Sequence, residues 1–456
     1  MGFTFIFTND CGIGVEQLMA ILKRNSIQAD IILSKYSFVE MAHLRYFEEH
    51  GNPERRKKAR ALLENDAETI LEKTAATKPD AIGLSATTSS YRWSLSIAEI
   101  AKSRLPDTPI IMGGPHPSAV PERVIAQQSI DAVFIDEADS SIVAVYGSLT
   151  GKNDRFDVPG LWIKKRGSII KNDPAPFVQN LDSLPFKDTG SFIAAGLSLS
   201  QTYSAIATRG CPFKCSYCVS GSGHGNDRIR RRSPASLLAE LERAVSTFDI
   251  SSVGFVDDVF IMDREWLYDF LPAYKERIGL PYACLIHPNY ENKEIVTLLK
   301  DTGCFQIKCG VQSVNPVLSK EIFNRNLNLD KIRKTVRDVK ESGIIIKLDF
   351  IIGVPTETEQ DLRETADFIR EVAPDDIFLY FLEYYPGARI IEYALANGYI
   401  TNAEYESYVE GREMAYQLAP NRFQGEELAK YRRYNKLIRD AAGSGYGVDT
   451  YNYLFE

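Results

Sequence analysis

Apolar residues along this chain fall in short runs, separated by stretches in which they recur every three or four positions. The run Thr4–Thr8 predicts a strand, Val15–Asn25 a helix and Ala29–Leu33 a second strand. Residues from about Met41 to Thr77 are rich in Glu, Lys, Arg and Ala and predict helix with a solvated face. Ala81–Ser85, Pro109–Gly113 and Ala132–Ile135 read as short strands, with helices over Leu95–Arg104 and Pro121–Gln127 between them. Such alternation predicts an α/β, doubly wound, Rossmann-like sheet, whose ligands sit at the carboxyl ends of the strands near a switch in strand order. Residues 148–201 lose the alternation and are punctuated by Pro159-Gly160, Pro174 and Pro185. They read as a linker carrying a small hairpin, Leu161–Lys165 with Ser168–Lys171.

A second alternating set begins at residue 202. Its strands are Ser204–Thr208, Ser252–Val256, Tyr282–Ile286, Gln306–Val311, Ile344–Ile352 and Ile377–Leu382. Helices over Pro234–Thr247, Arg264–Ile278, Lys293–Asp301, Leu329–Ser342 and Gln360–Val372 lie between them. Six strand–helix steps predict an incomplete (β/α)6, TIM-like barrel rather than a closed one of eight. After Gly387 the chain turns helical and Tyr-rich, as a cap would. The expected organisation is therefore 1–147, a linker over 148–201, a barrel over 202–388 and a helical segment over 389–456.

Bulk properties narrow the function classes. With 456 residues and a net charge of −8, the chain has no global basic field to recruit nucleic acid. The opening residues lack the basic stretch and cleavage site of a signal peptide, and no apolar run approaches the length of a membrane span. Seven cysteines are too sparse, and odd in number, for a disulfide framework. A cytoplasmic, reducing home is expected.

Three of those cysteines carry the chemistry: Cys211, Cys215 and Cys218, within Gly210-Cys211-Pro212-Phe213-Lys214-Cys215-Ser216-Tyr217-Cys218. The spacing fits three corners of a cubane iron–sulfur cluster, leaving one iron open to another ligand. Zinc would want four ligands in two close pairs, and His224, Cys284, Cys304 and Cys309 supply no second pair. The loop follows the first barrel strand, at the mouth where barrel enzymes place their chemistry.

From this cysteine loop onward, ordered blocks resemble the radical S-adenosylmethionine superfamily, in the subgroup with an N-terminal cobalamin-binding domain. They are Arg230-Arg231-Arg232-Ser233-Pro234, Gly254-Phe255-Val256-Asp257-Asp258, Cys309-Gly310-Val311-Gln312-Ser313, Asp349-Phe350-Ile351-Ile352-Gly353-Val354-Pro355-Thr356-Glu357-Thr358 and Tyr384-Tyr385-Pro386-Gly387. The resemblance implies a 4Fe–4S cluster on the three cysteines, whose open iron holds S-adenosylmethionine. Reductive cleavage of that molecule gives a 5′-deoxyadenosyl radical. It further implies that Tyr217 packs on the adenine and that Asp257 approaches the methionine amino group. Gln312 and Ser313 would meet the methionyl or ribose groups, and Ile351 would line the adenine slot. Asp257 and Asp258, adjacent on a strand, point to opposite faces and cannot chelate one ion in regular geometry. The run Arg228–Arg232 reads as solvated or paired with acids.

Ser85-Ala86-Thr87 followed by Gly113-Gly114 resembles the cobalamin-domain turns, where small residues admit a flat corrin. Ser85, Thr87, Gly113 and Gly114 are the implied contacts. The histidine that some members offer to cobalt after the first strand is absent; the loop reads Asn9-Asp10-Cys11-Gly12-Ile13-Gly14. His116 is a further candidate contact, and His287 follows the third barrel strand. Tyr282, His287, Tyr380, Glu383, Tyr384 and Tyr385 are expected near the mouth and to include substrate contacts.

The function implied is that of a cobalamin-dependent radical enzyme, foremost a methyltransferase on an unactivated carbon or phosphorus of a small-molecule or peptide substrate. A cyclase or rearrangement catalyst shares the same machinery, and a non-catalytic corrinoid or iron–sulfur sensor is the alternative from another class. Methylthio transfer fits poorly, because Cys11 is the only cysteine before Cys211. An electron donor such as flavodoxin or ferredoxin is implied as a partner.

Overall fold

A computed structural model describes residues 2–10, 12–153, 155–219, 229–288, 292–412 and 423–443. Its first sheet contains β1 (Phe3–Phe7), β2 (Ala29–Leu33), β3 (Ala81–Ser85), β4 (Ile110–Gly113) and β5 (Ala132–Phe134). These strands run parallel in the order β2-β1-β3-β4-β5. The chain steps outward from β1 to β2 and returns past β1 to β3, so the switch in strand order lies between β1 and β3. Phe3, Ile6, Ile82, Ile110, Met112 and Val133 are fully buried. Burial on both faces explains why these strands read as continuous apolar runs.

One expectation needs correction here. The hairpin placed in a linker belongs to the sheet: β6 (Leu161–Lys165) pairs antiparallel with β5, and β7 (Ser168–Lys171) forms the edge. Leu161 and Ile163 enter the same core as Phe3, joined by Val158, Ala175, Phe192 and Leu197 from the same stretch. An isolated two-stranded hairpin could not bury them so. The helical stretch near 41–77 is two helices, Phe38–His50 and Pro53–Thr77. The break falls at Gly51-Asn52, where Asn52 accepts a hydrogen bond from the Arg55 N–H and Pro53 opens the second helix.

The second sheet holds six parallel strands. β8 (Thr202–Ala205) is followed by a two-stranded antiparallel ribbon, β9 (Thr208–Arg209) with β10 (Arg230–Arg231). Then come β11 (Ser252–Phe255), β12 (Tyr282–Ile286), β13 (Cys304–Gln312), β14 (Ile345–Ile352) and β15 (Asp376–Phe381). Their order, β8-β11-β12-β13-β14-β15, is that of an open barrel. Along β14 the alternation is explicit. Ile346, Leu348, Phe350 and Ile352 are buried in the core that includes the flanking helices, while Lys347, Asp349 and Ile351 occupy the other face. On that second face Lys308 pairs with Asp349 at 3.3 Å and Lys347 with Asp376 at 3.6 Å.

Helix Gly425–Ala442 packs Tyr431, Tyr434 and Ile438 into the barrel core, and Tyr434 donates to Glu359 at 2.7 Å. Of the two readings of the arginine run, solvated or paired with acids, the second holds for its described residues. Arg230 pairs with Glu137, Arg231 with Asp263 and Arg232 with Glu240, while Arg228 lies outside the described residues. No described helix is long and apolar enough to cross a membrane.

Candidate active site

The cysteine loop leaves β9 through Gly210, whose φ of +91° lies where glycine is favoured. It is then tied down from beneath. Asp257, with no solvent exposure, accepts from the Ala207 N–H at 3.1 Å and the Thr208 N–H at 2.5 Å. Ser216 donates through its N–H to the Phe323 carbonyl at 2.9 Å and accepts at its own carbonyl from the Ile390 N–H at 2.9 Å. The Lys214 carbonyl accepts from Asn324 at 2.7 Å and also from Arg389.

So held, Cys211, Cys215 and Cys218 all line one cavity of about 150 Å³. Burial pushes the Cys211 thiol up to about 11, so ligation there must release a proton. Among the described residues, no three His, Cys, Asp or Glu side chains converge on a single metal ion. A cubane fits better, because its corners take thiolates farther apart than one ion does. Three thiols from one Cys-x3-Cys-x2-Cys loop, all lining one cavity, meet that requirement.

Arg325 and Asp349 share this cavity and escaped the sequence reading. Arg325 donates to Cys215 Sγ at 3.6 Å and to the Gly310 carbonyl at 2.6 Å. Burial lifts Asp349 to about 6 against the opposing pull of Lys308. His287 stacks on Phe213 with ring centres 3.9 Å apart, and burial drives its pKa down to about 3, keeping it neutral. A second cavity of about 300 Å³ adds Ile351, Tyr380, Glu383 and Tyr385, and shares Tyr217, Gln312 and Asp349 as common walls.

Gln312 reaches both cavities because β13 bulges between Gly310 and Gln312 and Gln312 takes φ +70°. A left-handed non-glycine residue at a strand end stores about 1–3 kcal/mol, a cost that clusters at functional sites. Gly310 makes room for it: a Cβ there would fall 2.6 Å from Gln312 Nε2.

Other expected residues lie elsewhere. Asp257 braces backbone, and its neighbour Asp258 faces the thiols instead. Ser313 accepts from the Asn315 N–H at 3.2 Å and forms a turn outside either cavity's lining. Tyr282 and Tyr384 are buried core residues. Tyr282 sits among Phe255, Phe260 and Tyr274, whereas Tyr384 packs on Tyr408.

The first sheet carries its own cleft, about 470 Å³, at the carboxyl ends of β1, β3 and β4. Phe3, Phe5 and Phe7 line it with Gly14, Ser85, Gly113 and Gly114. Gly114 has φ +102°, and a Cβ would meet the Ala86 carbonyl oxygen at 2.8 Å. An apolar slot with glycine at its rim suits the flat, bulky face of a corrinoid and its tail. Thr87 does not line it; its hydroxyl caps helix Thr88–Arg104 by accepting from the Ser90 N–H. His116 is also outside the cleft, 1% exposed and stacked on Tyr91 at 4.2 Å. Cys11 lies outside the described residues.

The two sites meet along one short stretch of chain. Ile206 and Arg209 line the cleft, and Cys211 lines the thiol cavity. Arg209 bonds to Glu137 at 2.8 Å and Asp139 at 3.0 Å, both on the loop after β5. Arg230 closes the clamp on Glu137 at 2.6 Å.

Comparison with known proteins places this geometry in context. Residues 205–369 match the family model described as Radical SAM superfamily, and residues 57–146 match the B12 binding domain. An uncharacterized methyltransferase of Pyrococcus horikoshii is 27% identical over 337 residues, covering 72% of each chain. The cytidylyl-2-hydroxyethylphosphonate methyltransferase of Streptomyces wedmorensis is 21% identical over 415 residues, covering 80% of this chain and 76% of its own. Among solved structures, a radical S-adenosylmethionine methyltransferase from Kitasatospora setae with cobalamin and a 4Fe–4S cluster bound superposes with a TM-score of 0.67. That match has 17% identity and covers 86% of this chain and 78% of the other.

Proposed function

Because the chain belongs to the radical S-adenosylmethionine superfamily and carries a B12-binding domain, we propose that it moves a methyl group from S-adenosylmethionine onto an unactivated carbon or phosphorus of a small-molecule or peptide substrate. Its cofactors are a 4Fe–4S cluster, S-adenosylmethionine and cobalamin. When bound, the cluster supplies the electron that cleaves S-adenosylmethionine to a carbon radical, and the corrinoid supplies a transferable methyl group.

The observation carrying this reading is the juxtaposition of the two cavities. Arg209 on the corrin cleft and Cys211 on the thiol cavity are separated by one residue, Gly210. Neighbouring Cα atoms are about 3.8 Å apart, so the two linings come within two residue steps of each other along the chain. The chain's own residues do positional work. Cys211, Cys215 and Cys218 hold the cluster, and Tyr217, Gln312 and Ile351 form the walls against which S-adenosylmethionine lies. Asp349 and Lys308 place opposite charges beside it, and Tyr380, Glu383 and Tyr385 extend the wall toward substrate. The clamp of Arg209, Arg230, Glu137 and Asp139 holds the cleft against the cysteine loop and helps keep water from the space between.

The expected electron donor is a low-potential carrier such as flavodoxin or ferredoxin in the cytoplasm. The test is anaerobic incubation of reconstituted, reduced protein with S-adenosylmethionine and cobalamin, with and without candidate substrates. Release of both S-adenosylhomocysteine and 5′-deoxyadenosine supports methyl transfer through a radical. Release of 5′-deoxyadenosine alone, with substrate consumed, redirects the assignment to cyclisation or rearrangement. Neither product in any mixture leaves a sensor.

A further inference from the structure

Arg325 is a buried cation without a carboxylate partner. It is 8% exposed, and among the described residues no Asp or Glu oxygen lies within 4 Å of its guanidinium. Asp349 lines the same cavity and feels its field, but its ion pair is with Lys308. The contacts of Arg325 are Cys215 Sγ at 3.6 Å and the Gly310 carbonyl at 2.6 Å, and its Nε is buried with no hydrogen bond. An uncompensated buried charge costs several kcal/mol, so a chain that keeps one has a counter-charge for it in the working state. Other buried cations of this protein have theirs: Lys187 on Glu16, Arg230 on Glu137, Arg232 on Glu240.

The thiol cavity supplies the missing charge. A 4Fe–4S core on three thiolates carries one formal negative charge when oxidised and two when reduced. A guanidinium donating to one of those thiolates stabilises both states, and the reduced one more, because the attraction grows with the charge. We propose that Arg325 is the fixed counter-cation of the cluster and raises the potential at which the cluster accepts its electron. This rests on the cluster assignment made above. The step is the addition of one electron from an external low-potential donor. No bond forms or breaks, and no proton moves, because the guanidinium stays protonated throughout.

Geometry supports the assignment beyond the one hydrogen bond. The Gly310 carbonyl that accepts from Arg325 Nη2 lies on β13 at its bulge, so strand as well as turn fixes the guanidinium. The Arg325 N–H donates to the Ser319 carbonyl at 2.8 Å, which anchors its backbone to the turn Leu318–Ile322. That same turn receives the cysteine loop, through Ser216 and the Ile322 and Phe323 carbonyls. Cation and thiolate are thus held by one local framework.

The test is an EPR-monitored redox titration of the reconstituted full-length protein, without S-adenosylmethionine, for wild type, Arg325→Gln and Arg325→Lys. Iron and sulfide content are matched first. Arg325→Gln removes the charge and keeps a donor; its midpoint is expected to fall by about 60 mV or more, a tenfold change in the one-electron equilibrium. Arg325→Lys keeps the charge and is expected to stay nearer wild type. A wild-type midpoint in Arg325→Gln, or an equal fall in both variants, overturns the proposal. If Arg325→Gln fails to hold iron, Arg325→Lys decides alone: a fall of about 60 mV or more despite the retained charge overturns it, and a smaller one supports it. A wild-type protein that assembles no cluster would instead remove the functional reading on which the proposal rests.

Discussion

Replacing Asp257 by Asn is expected to flatten one specific part of the protein's pH–stability profile. The carboxyl group has no solvent exposure, and burial lifts it from 3.8 to about 6 despite the two backbone N–H groups that favour its charge. The folded chain therefore holds this proton more tightly than the unfolded chain. Stability must fall as pH rises through the window from about 4 to 6. A rise of about two pH units at about 1.4 kcal/mol each places the penalty near 3 kcal/mol at neutral pH. Asn keeps Oδ1, which receives both N–H groups, and cannot ionise.

The difference in unfolding free energy between variant and wild type should thus shift by roughly 3 kcal/mol in the variant's favour between pH 4 and pH 7. Any constant cost of the new Nδ2 cancels in that comparison. Asp257→Ala, by contrast, orphans both N–H groups at about 1–3 kcal/mol each, and should be less stable than Asn at every pH. Urea unfolding of the metal-free, full-length protein at several pH values measures both. Parallel profiles for wild type and Asp257→Asn would refute the burial argument.

Three further outcomes are expected. Gly114→Ala forces a side chain into φ +102° and within 2.8 Å of the Ala86 oxygen; it should cost about 1–3 kcal/mol and lower corrinoid retention, read as bound-corrin absorbance per chain. Arg209→Met strands Asp139, whose side chain is 6% exposed, while Glu137 keeps Arg230; the loss should be about 3 kcal/mol in thermal unfolding, and an unchanged transition would discount the clamp. Tyr217→Leu should leave iron content intact and weaken S-adenosylmethionine binding, because only the shared wall of the two cavities is altered; equal affinity would remove Tyr217 from that wall.

Much of the architecture was readable because its strands are buried in ways that leave a pattern. β1 through β5 lie under helices on both faces and so appear as plain apolar runs. β14 alternates because only one of its faces meets the helices. The β6–β7 hairpin was legible as a hairpin, but its partner β5 lies on the far side of a helix in sequence, and nothing local encodes that pairing. Likewise, the sequence pattern predicts Asp257 and Asp258 on a strand with opposite faces, but β11 ends at Phe255 and the loop beyond it turns Asp258 to the cavity. Arg325 sits in the polar run Asn324-Arg325-Asn326 and reads as a solvated loop residue. It is buried where the turn at Leu318–Ile322 meets the cysteine loop and β13, contacts distant in sequence. Thr87 and Ser313 carry hydroxyls that suit a ligand and the local backbone equally well; Thr87 caps a helix and Ser313 a turn.

The central claim is that the three-cysteine loop builds a centre that cleaves S-adenosylmethionine beside a corrinoid. Its most direct test is anaerobic reduction of the reconstituted protein with S-adenosylmethionine, cobalamin and candidate substrates, with 5′-deoxyadenosine quantified for wild type and Cys215→Ala. The account predicts that wild type forms the nucleoside while the variant, lacking the cluster's absorbance, forms none. Equal amounts from both proteins, or none from a fully loaded wild type, would contradict it.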